Sequence, residues 1–222
     1  MSIAPERILF EDQWLLVVSK LASELVVQGK GRLDRLPLLD YLRETYPGLT
    51  PVHRLDFETS GVVLFVKDSD TLKKILNTKF EQWKKKYLTL VKGRPQKAGF
   101  IDHSLLARTG GLIPARTRYT VLEQFIPCAY TEVSMEKGGL HHQIRKHFAM
   151  IEHPLVLDEE HGDKKYNREF TQYFHYQSFF LHASSLEIPH PVTGAQLKVE
   201  SPLPKNFDEV LKKIRKSEEG LR

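Results

Sequence analysis

Residues 51 to 66, PVHRLDFETSGVVLFV, run a charged cluster straight into an apolar strand. His53, Arg54 and Asp56 come first and Thr59-Ser60-Gly61 follow as turn residues. Val62 to Val66 is then a β-branched and aromatic run of the kind that fills a buried strand. One carboxylate is thereby placed at the mouth of a sheet. A polar loop on a rigid strand is where reactive groups are often held, because the scaffold fixes their geometry while the loop stays accessible. Residue types alone leave two readings open: a reactive loop, or a surface loop whose Arg54 and Asp56 are merely solvated.

Working outward, Ile8–Phe10 and Trp14–Ser19 read as two short strands about Glu11-Asp12-Gln13, and Leu25–Val27 is a third apolar piece before a turn at Gly29-Lys30-Gly31. Pro37 with Leu38, Leu39, Tyr41 and Leu42 predicts a short helix ended by Tyr46-Pro47-Gly48. Beyond the opening stretch, Ser69 or Asp70 caps a predicted helix whose Leu72, Ile75, Leu76 and Phe80 share a face that should pack on the sheet. Residues 86–91 read as a strand, 93–115 as irregular, and Arg118–Phe125 and Tyr130–Met135 as a strand pair. His141–Ile151 reads as a helix with Ile144, Phe148 and Ile151 on one side and His142, Arg145 and Lys146 partly on another. A polar stretch covers 158–169, LEIPHPVTGAQLKV is a hairpin, and Asn206 with Glu209 suggests a capping box for a last helix with Phe207, Val210, Leu211 and Ile214 inward. Strands outnumber helices and do not alternate strictly with them. The expected fold class is therefore α+β, a mixed, mainly antiparallel central sheet flanked by helices, in a single domain over residues 1–222.

Composition narrows the function. In 222 residues, 33 Lys and Arg against 28 Asp and Glu give a formal charge of +5, which favours polyanionic partners. Lys84, Lys85, Lys86, Lys92, Arg94, Lys97, Arg108, Arg116 and Arg118 crowd one third of the chain with Tyr87, Phe100 and Tyr119 among them, a mixture suited to phosphate contact and base stacking. No apolar run is long enough to span a bilayer and the first residues lack the pattern of a signal peptide, so a cytoplasmic protein with no membrane partner is expected. Cys128 stands alone and reads as a small core residue. Of the ten histidines, His142 and His147 are five apart rather than four, which argues against a helical zinc pair, and no metal site is expected. Neither a G-x-S-x-G elbow nor a phosphate-cradling glycine loop occurs, so hydrolase and nucleotide-cofactor readings have no support.

Three ordered motifs carry a resemblance. His53-Arg54-Leu55-Asp56 with Thr59-Ser60-Gly61 fills all seven fixed positions of H-R-L-D-x-x-T-S-G, Lys85-Lys86-Tyr87 resembles K-x-Y, and His142-Gln143-Ile144-Arg145 resembles H-Q-[IL]-R. On these, the chain resembles the RluA-type pseudouridine synthases from Ile8 to the C-terminal LHA and HPVTG segments. His153-Pro154, His161-Gly162, Asn167, Phe170, Leu181-His182-Ala183 and His190-Pro191-Val192-Thr193-Gly194 look most like the subgroup that modifies tRNA uridine-65. The chain departs from the family at Lys20-Leu21-Ala22-Ser23, where K-P-x-G is usual, at Leu140, where a basic residue is usual, and at Leu157-Asp158, where G-D is usual.

The resemblance implies the pseudouridine synthase catalytic fold without an N-terminal S4-type module, and an isomerase of RNA uridine needing no cofactor. It implies Asp56 as the catalytic carboxylate, with Tyr87 stacking on the target base and Arg145 pairing with Asp56. Arg54 is expected to enter the space left by the flipped uridine, and Lys85, His142 and Arg116 to contact RNA; His53 is expected to be structural. The implied partner is RNA, with tRNA favoured and ribosomal RNA possible, and the implied state is a monomer. A non-catalytic RNA-binding protein on the same fold is the alternative from another class.

Overall fold

The structure, a computed structural model, describes residues 3–29, 36–78, 80–107 and 110–219. The expected turn residues Lys30 and Gly31, and Arg108, lie outside them. In chain order the elements are β1 (Ile8–Glu11), β2 (Leu15–Lys20), α1 (Leu38–Arg43), β3 (Thr50–Pro51), β4 (Ser60–Val66), α2 (Ser69–Asn77), β5 (Lys84–Lys92), β6 (Ala98–Asp102), β7 (Leu105–Leu106), β8 (Leu112–Ile113), β9 (Arg116–Gln124), β10 (Cys128–Lys137), α3 (Gln143–Met150), α4 (Lys164–Phe174), β11 (Leu181–Pro189), β12 (Gln196–Glu200) and α5 (Lys205–Glu219). This is the expected α+β class, mainly antiparallel strands flanked by helices. No helix among the described residues is long and apolar enough to cross a membrane. The chain forms two compact units, residues 1–85 with 183–202, and residues 86–182 with 203–222.

In the first unit β2 pairs antiparallel with β1 and β4, and β11 with β12. The unbroken apolar run of β4 has a simple cause. Val62, Leu64 and Val66 join Leu15 and Val17 in one core with Ile75 of α2, while Val63 and Phe65 join Leu16 and Val18 in another with Leu38, Leu39 and Leu42 of α1. A strand covered on both faces needs an apolar side chain at every position. Helix α1 follows Pro37 as expected, but no side chain caps it; the carbonyls of Leu25 and Val26 accept the amides of Leu38 and Leu39 at 2.7 and 3.1 Å instead. The apolar piece before the turn is thus a backbone cap and no strand.

Helix α2 corrects the expectation in two respects. Its cap is Asp68, whose carboxylate accepts the Thr71 amide at 2.7 Å. Its buried residues are Thr71 and Ile75, while Leu76 is half exposed and Phe80, beyond the helix end, has a positive φ and is also exposed. The inward stripe is therefore narrower than the spacing of apolar residues suggested.

In the second unit β10 pairs antiparallel with β5 and β9, and β6 with β9. The stretch 93–115 is not irregular: it contains β6, β7 and β8, with Gly93, Pro95, Gly110, Gly111 and Pro114 outside the strands and Gly99 inside β6. Helix α3 lies on β9 through Phe148 and Tyr119, ring centroids 5.4 Å apart. The charged stretch 158–169 holds the start of α4, capped by the Asp163 carboxylate on the amides of Lys165 and Tyr166. Phe170 and Phe174 of α4, Phe207, Val210, Leu211 and Ile214 of α5, and Cys128 share one core. Helix α5 buries the four residues expected, but it begins at Lys205, so Asn206 stands inside its first turn and forms no box.

Candidate active site

In the first unit Asp56 lies in the loop between β3 and β4, half-buried, and its carbonyl accepts the Thr59 amide at 3.2 Å to turn the chain into β4. Gly61 must be glycine. Its φ is +113°, and a Cβ there would stand 2.1 Å from the Ala183 carbonyl oxygen, inside any contact distance. The loop is held from below by Lys20. That fully buried ammonium donates to the carbonyls of Leu21, Glu24 and Phe57 at 2.8, 2.8 and 3.0 Å, and the Phe57 carbonyl also accepts the Ser23 amide at 2.9 Å. Desolvation lowers the Lys20 pKa to about 8 against the opposing pull of Glu24, Glu58 and Asp56.

His53 is structural, as expected. Its Nε2 accepts the Leu64 amide at 3.3 Å and its ring meets Trp83 edge-on; burial, then the nearby Lys85, keeps it neutral well below the ordinary histidine range. Lys85 is itself lowered to about 8 by desolvation, with its ammonium 5.0 Å from the Trp83 ring centre. Arg54 is exposed. The Thr59 hydroxyl is buried and has no hydrogen-bond partner among the described residues.

In the second unit Tyr87 is the fourth residue of β5, buried, opposite Val133 of β10. Arg145 of α3 is not a surface arginine: its side chain is 5% exposed. Nε and Nη2 donate to the two oxygens of Asp158 at 2.7 Å each, Nη1 donates to Nε2 of His142 at 2.9 Å, and the Phe179 ring lies 5.1 Å beneath the guanidinium. Burial opposes the charge on Asp158, but the Arg145 bonds and the amides of His161 and Glu160 outweigh it and hold the carboxyl below its ordinary value. Asn167 fixes this turn by accepting the Leu157 amide and donating to the Asp158 carbonyl, both at 2.9 Å. A Cβ on Gly162 would stand 2.1 Å from that same carbonyl oxygen.

Arginine cannot accept a hydrogen bond, so its contact settles the His142 tautomer. Nε2 accepts, Nδ1 carries the proton, and Nδ1–H points at Nε2 of His161, 3.0 Å away. Glu160 brings its carboxylate within 3.3 Å of both rings. The cluster has metal-ligand residue types, but the nitrogen of His142 that faces the others bears a proton in place of a lone pair. His147 is spent elsewhere: Nε2–H donates to the His103 carbonyl at 3.0 Å, and Nδ1 accepts from Thr117 at 2.8 Å. Gln143, buried beside it, accepts from the amides of Gly139 and Leu140 and donates to the carbonyls of Lys137 and Arg116 and to the Thr117 hydroxyl. Arg116 stacks over the exposed Phe100 at 4.2 Å, with Asp102 3.7 Å away.

The departures have local answers. Ser23 and Leu157 stand where the family has glycine, and both keep a left-handed backbone, with φ of +62° each. Asp158 is retained. Leu140 meets Gln143 through its backbone amide, which any side chain can offer. Sequence reasoning missed the parts played by Lys20, Gln143, Asp158 and Asn167. The signal for Lys20 was a lysine ending a mostly apolar strand; Gln143, about 100° round the helix from Ile144, carried none.

The fold has known counterparts. The human protein titled RNA Pseudouridylate Synthase Domain Containing 4 superposes with a TM-score of 0.78 at 23% identity, over 94% of this chain and 92% of that one. The sequence is 33% identical to ribosomal large subunit pseudouridine synthase C of Pasteurella multocida, over 95% of this chain and 68% of the relative. It is 31% identical to tRNA pseudouridine synthase C of Salmonella typhi, over 92% and 88%. The model of the RNA pseudouridylate synthase family matches residues 14–150, and the chain belongs to that family: it is an RNA pseudouridine synthase, an isomerase acting on uridine in RNA.

Proposed function

We propose that this enzyme isomerises one uridine of a structured tRNA, of the uridine-65 type, as a cytoplasmic monomer with residues 1–222 as a single catalytic domain and no cofactor or metal. The observation that carries the chemistry is Asp56, set in the full H-R-L-D-x-x-T-S-G motif on a loop that Lys20 pins by its Phe57 carbonyl. Moving the base from an N1 to a C5 link breaks and remakes a glycosidic bond with no net redox change or hydrolysis. Such a reaction needs one fixed carboxylate at the nucleotide and a site that retains the detached base.

In this reading Asp56 works on the nucleotide, Tyr87 stacks on the target base, and Arg145 is the counter-charge that orients the Asp56 carboxylate. Arg54, exposed on the same loop as Asp56, takes the place of the flipped uridine, and Lys85, His142 and Arg116 contact RNA. Support for tRNA comes from the Salmonella relative, 31% identical over 92% of this chain. Ribosomal RNA is the second reading, favoured by the slightly higher identity, 33% against 31%.

Two measurements test this. Asp56→Ala and Asp56→Asn should abolish tritium release from 5-tritiated uridine in RNA while RNA binding persists; turnover by Asp56→Ala would sink the mechanism. Carbodiimide-blocked primer extension on total RNA from cells with and without the protein should show the missing stop in tRNA. A stop lost from ribosomal RNA instead would transfer the activity there.

A further inference from the structure

A cavity of about 330 Å³ opens in the second unit and uses none of the candidate catalytic or RNA-contact residues. Its main wall is one face of α4. Tyr166, Phe170, Tyr173 and Phe174 fall at i, i+4, i+7 and i+8, so their rings line up along the helix. Centroid separations of 6.1 Å for Tyr166–Phe170, 4.6 Å for Phe170–Phe174 and 4.8 Å for Tyr173–Phe174 make that wall continuous. Phe170 and Phe174 are buried and form the floor, while Tyr173 is 68% exposed and forms the lip. Glu169 of α4 and Glu218 of α5 bring carboxylates to the cavity.

The donors and acceptors are unevenly shared. The Tyr166 hydroxyl already donates to the Pro127 carbonyl and the Ser217 hydroxyl to the Ile214 carbonyl, each at 2.7 Å. The Ile126 amide donates to the Glu218 carboxylate and holds it at the rim. What lines the cavity beyond these satisfied groups is therefore two carboxylates and the aromatic rings of α4, of which Tyr166 already carries the Lys92 ammonium 5.7 Å over it. Phosphates and other anions are repelled. A hard metal ion finds too few oxygens among apolar rings, since it asks for six or more. The volume is at the small end for ligand pockets, about 300–1,000 Å³.

We propose that this cavity binds a small organic amine, an ammonium group carried on an apolar or aryl body, with the body against the α4 rings and the ammonium at Glu218. Glu169 contributes less, because Lys165 lies 4.0 Å from it and both are exposed. An aromatic wall closed by carboxylates suits a cation that is weakly hydrated along one side, as cation–π recognition requires.

The test is calorimetry on the full chain with phenethylamine, against phenethyl alcohol as the neutral match of the same shape. The amine should bind about tenfold more tightly than the alcohol. Glu218→Gln should bring the two within about twofold, and Tyr173→Ala should weaken both by several-fold, since the first removes charge and the second removes wall. Circular dichroism and unchanged tritium release would show that both variants remain folded. Equal binding of amine and alcohol to the unaltered protein, a preference that survives Glu218→Gln, or no binding below about 10 mM would each overturn the assignment.

Discussion

Arg145 and Asp158 meet through two parallel bonds of 2.7 Å, both side chains withdrawn from solvent. A buried guanidinium is tolerable only when its charge is matched and its planar fork is filled, and Asp158 does both. The pair fixes the plane of Arg145, and His142 and Phe179 complete the setting.

Asp158→Ala leaves a buried cation with one face unpaired, which costs about 3–5 kcal/mol. Asp158→Asn keeps the shape and one acceptor and should cost less. Urea unfolding should rank the variants in that order. If Arg145 serves the reaction as proposed, tritium release by the folded Asp158→Asn variant should fall in kcat more than it rises in KM.

Lys20 separates stability from activity as pH rises. Its folded pKa of about 8 lies below the unfolded value of about 10.4, so above pH 8 the folded state binds fewer protons than the unfolded one. Linkage then makes this group's contribution to stability rise with pH from about 8 to about 10.4. Over the same range the ammonium that grips the Phe57 carbonyl is lost. The slope of unfolding free energy against pH should be smaller in Lys20→Met than in the unaltered protein, while the unaltered protein loses kcat above pH 8. Identical slopes would show that Lys20 is not the titrating group.

Gly61→Ala should be among the most damaging single changes. It forces a Cβ to 2.1 Å from the Ala183 carbonyl oxygen at a φ of +113°. Overpacking and backbone strain together cost about 3 kcal/mol or more. Gly194→Ala, with a φ of +74° but nothing within 4 Å of the new Cβ, should cost only about 1–2 kcal/mol. A thermal melt of the two variants side by side decides this.

Thr59→Val exchanges a hydroxyl for a methyl of the same size. Because that hydroxyl is buried without a partner among the described residues, its removal should raise stability by about 1 kcal/mol. A simultaneous drop in tritium release would assign the hydroxyl to substrate. Stability that falls instead would mean the hydroxyl has a partner in the folded protein.

Much of this was legible beforehand. Apolar and β-branched runs reported β2, β4 and β9, and the seven-position motif fixed attention on Asp56. What escaped did so for physical reasons. Tyr166, Phe170 and Phe174 repeat as a helix should, but the surrounding charges hid the stripe. Lys20 and Asp158 look like ordinary surface charges until their burial is known, because a sequence shows charge but not solvent. His153, Gly162, Asn167 and His190 pointed to a tRNA subgroup, yet each serves to tie or close-pack a loop. His153 reaches the Lys92 carbonyl, Gly162 and Asn167 pack on the Asp158 turn, and His190 joins Asp12 at 2.8 Å. They say more about how loops are tied than about which RNA is chosen.

Ser23 and Leu157 both occupy the left-handed backbone that glycine usually fills. Each is anchored from outside itself, Ser23 through the Phe57 carbonyl and Leu157 through Asn167 and the Phe170 core. A side chain is therefore tolerated at these two places because neighbours dictate the chain's path. A pattern search that demands them would pass over chains built like this one, whereas one that asks for the buried lysine, the aspartate after H-P and the asparagine that ties it would find them.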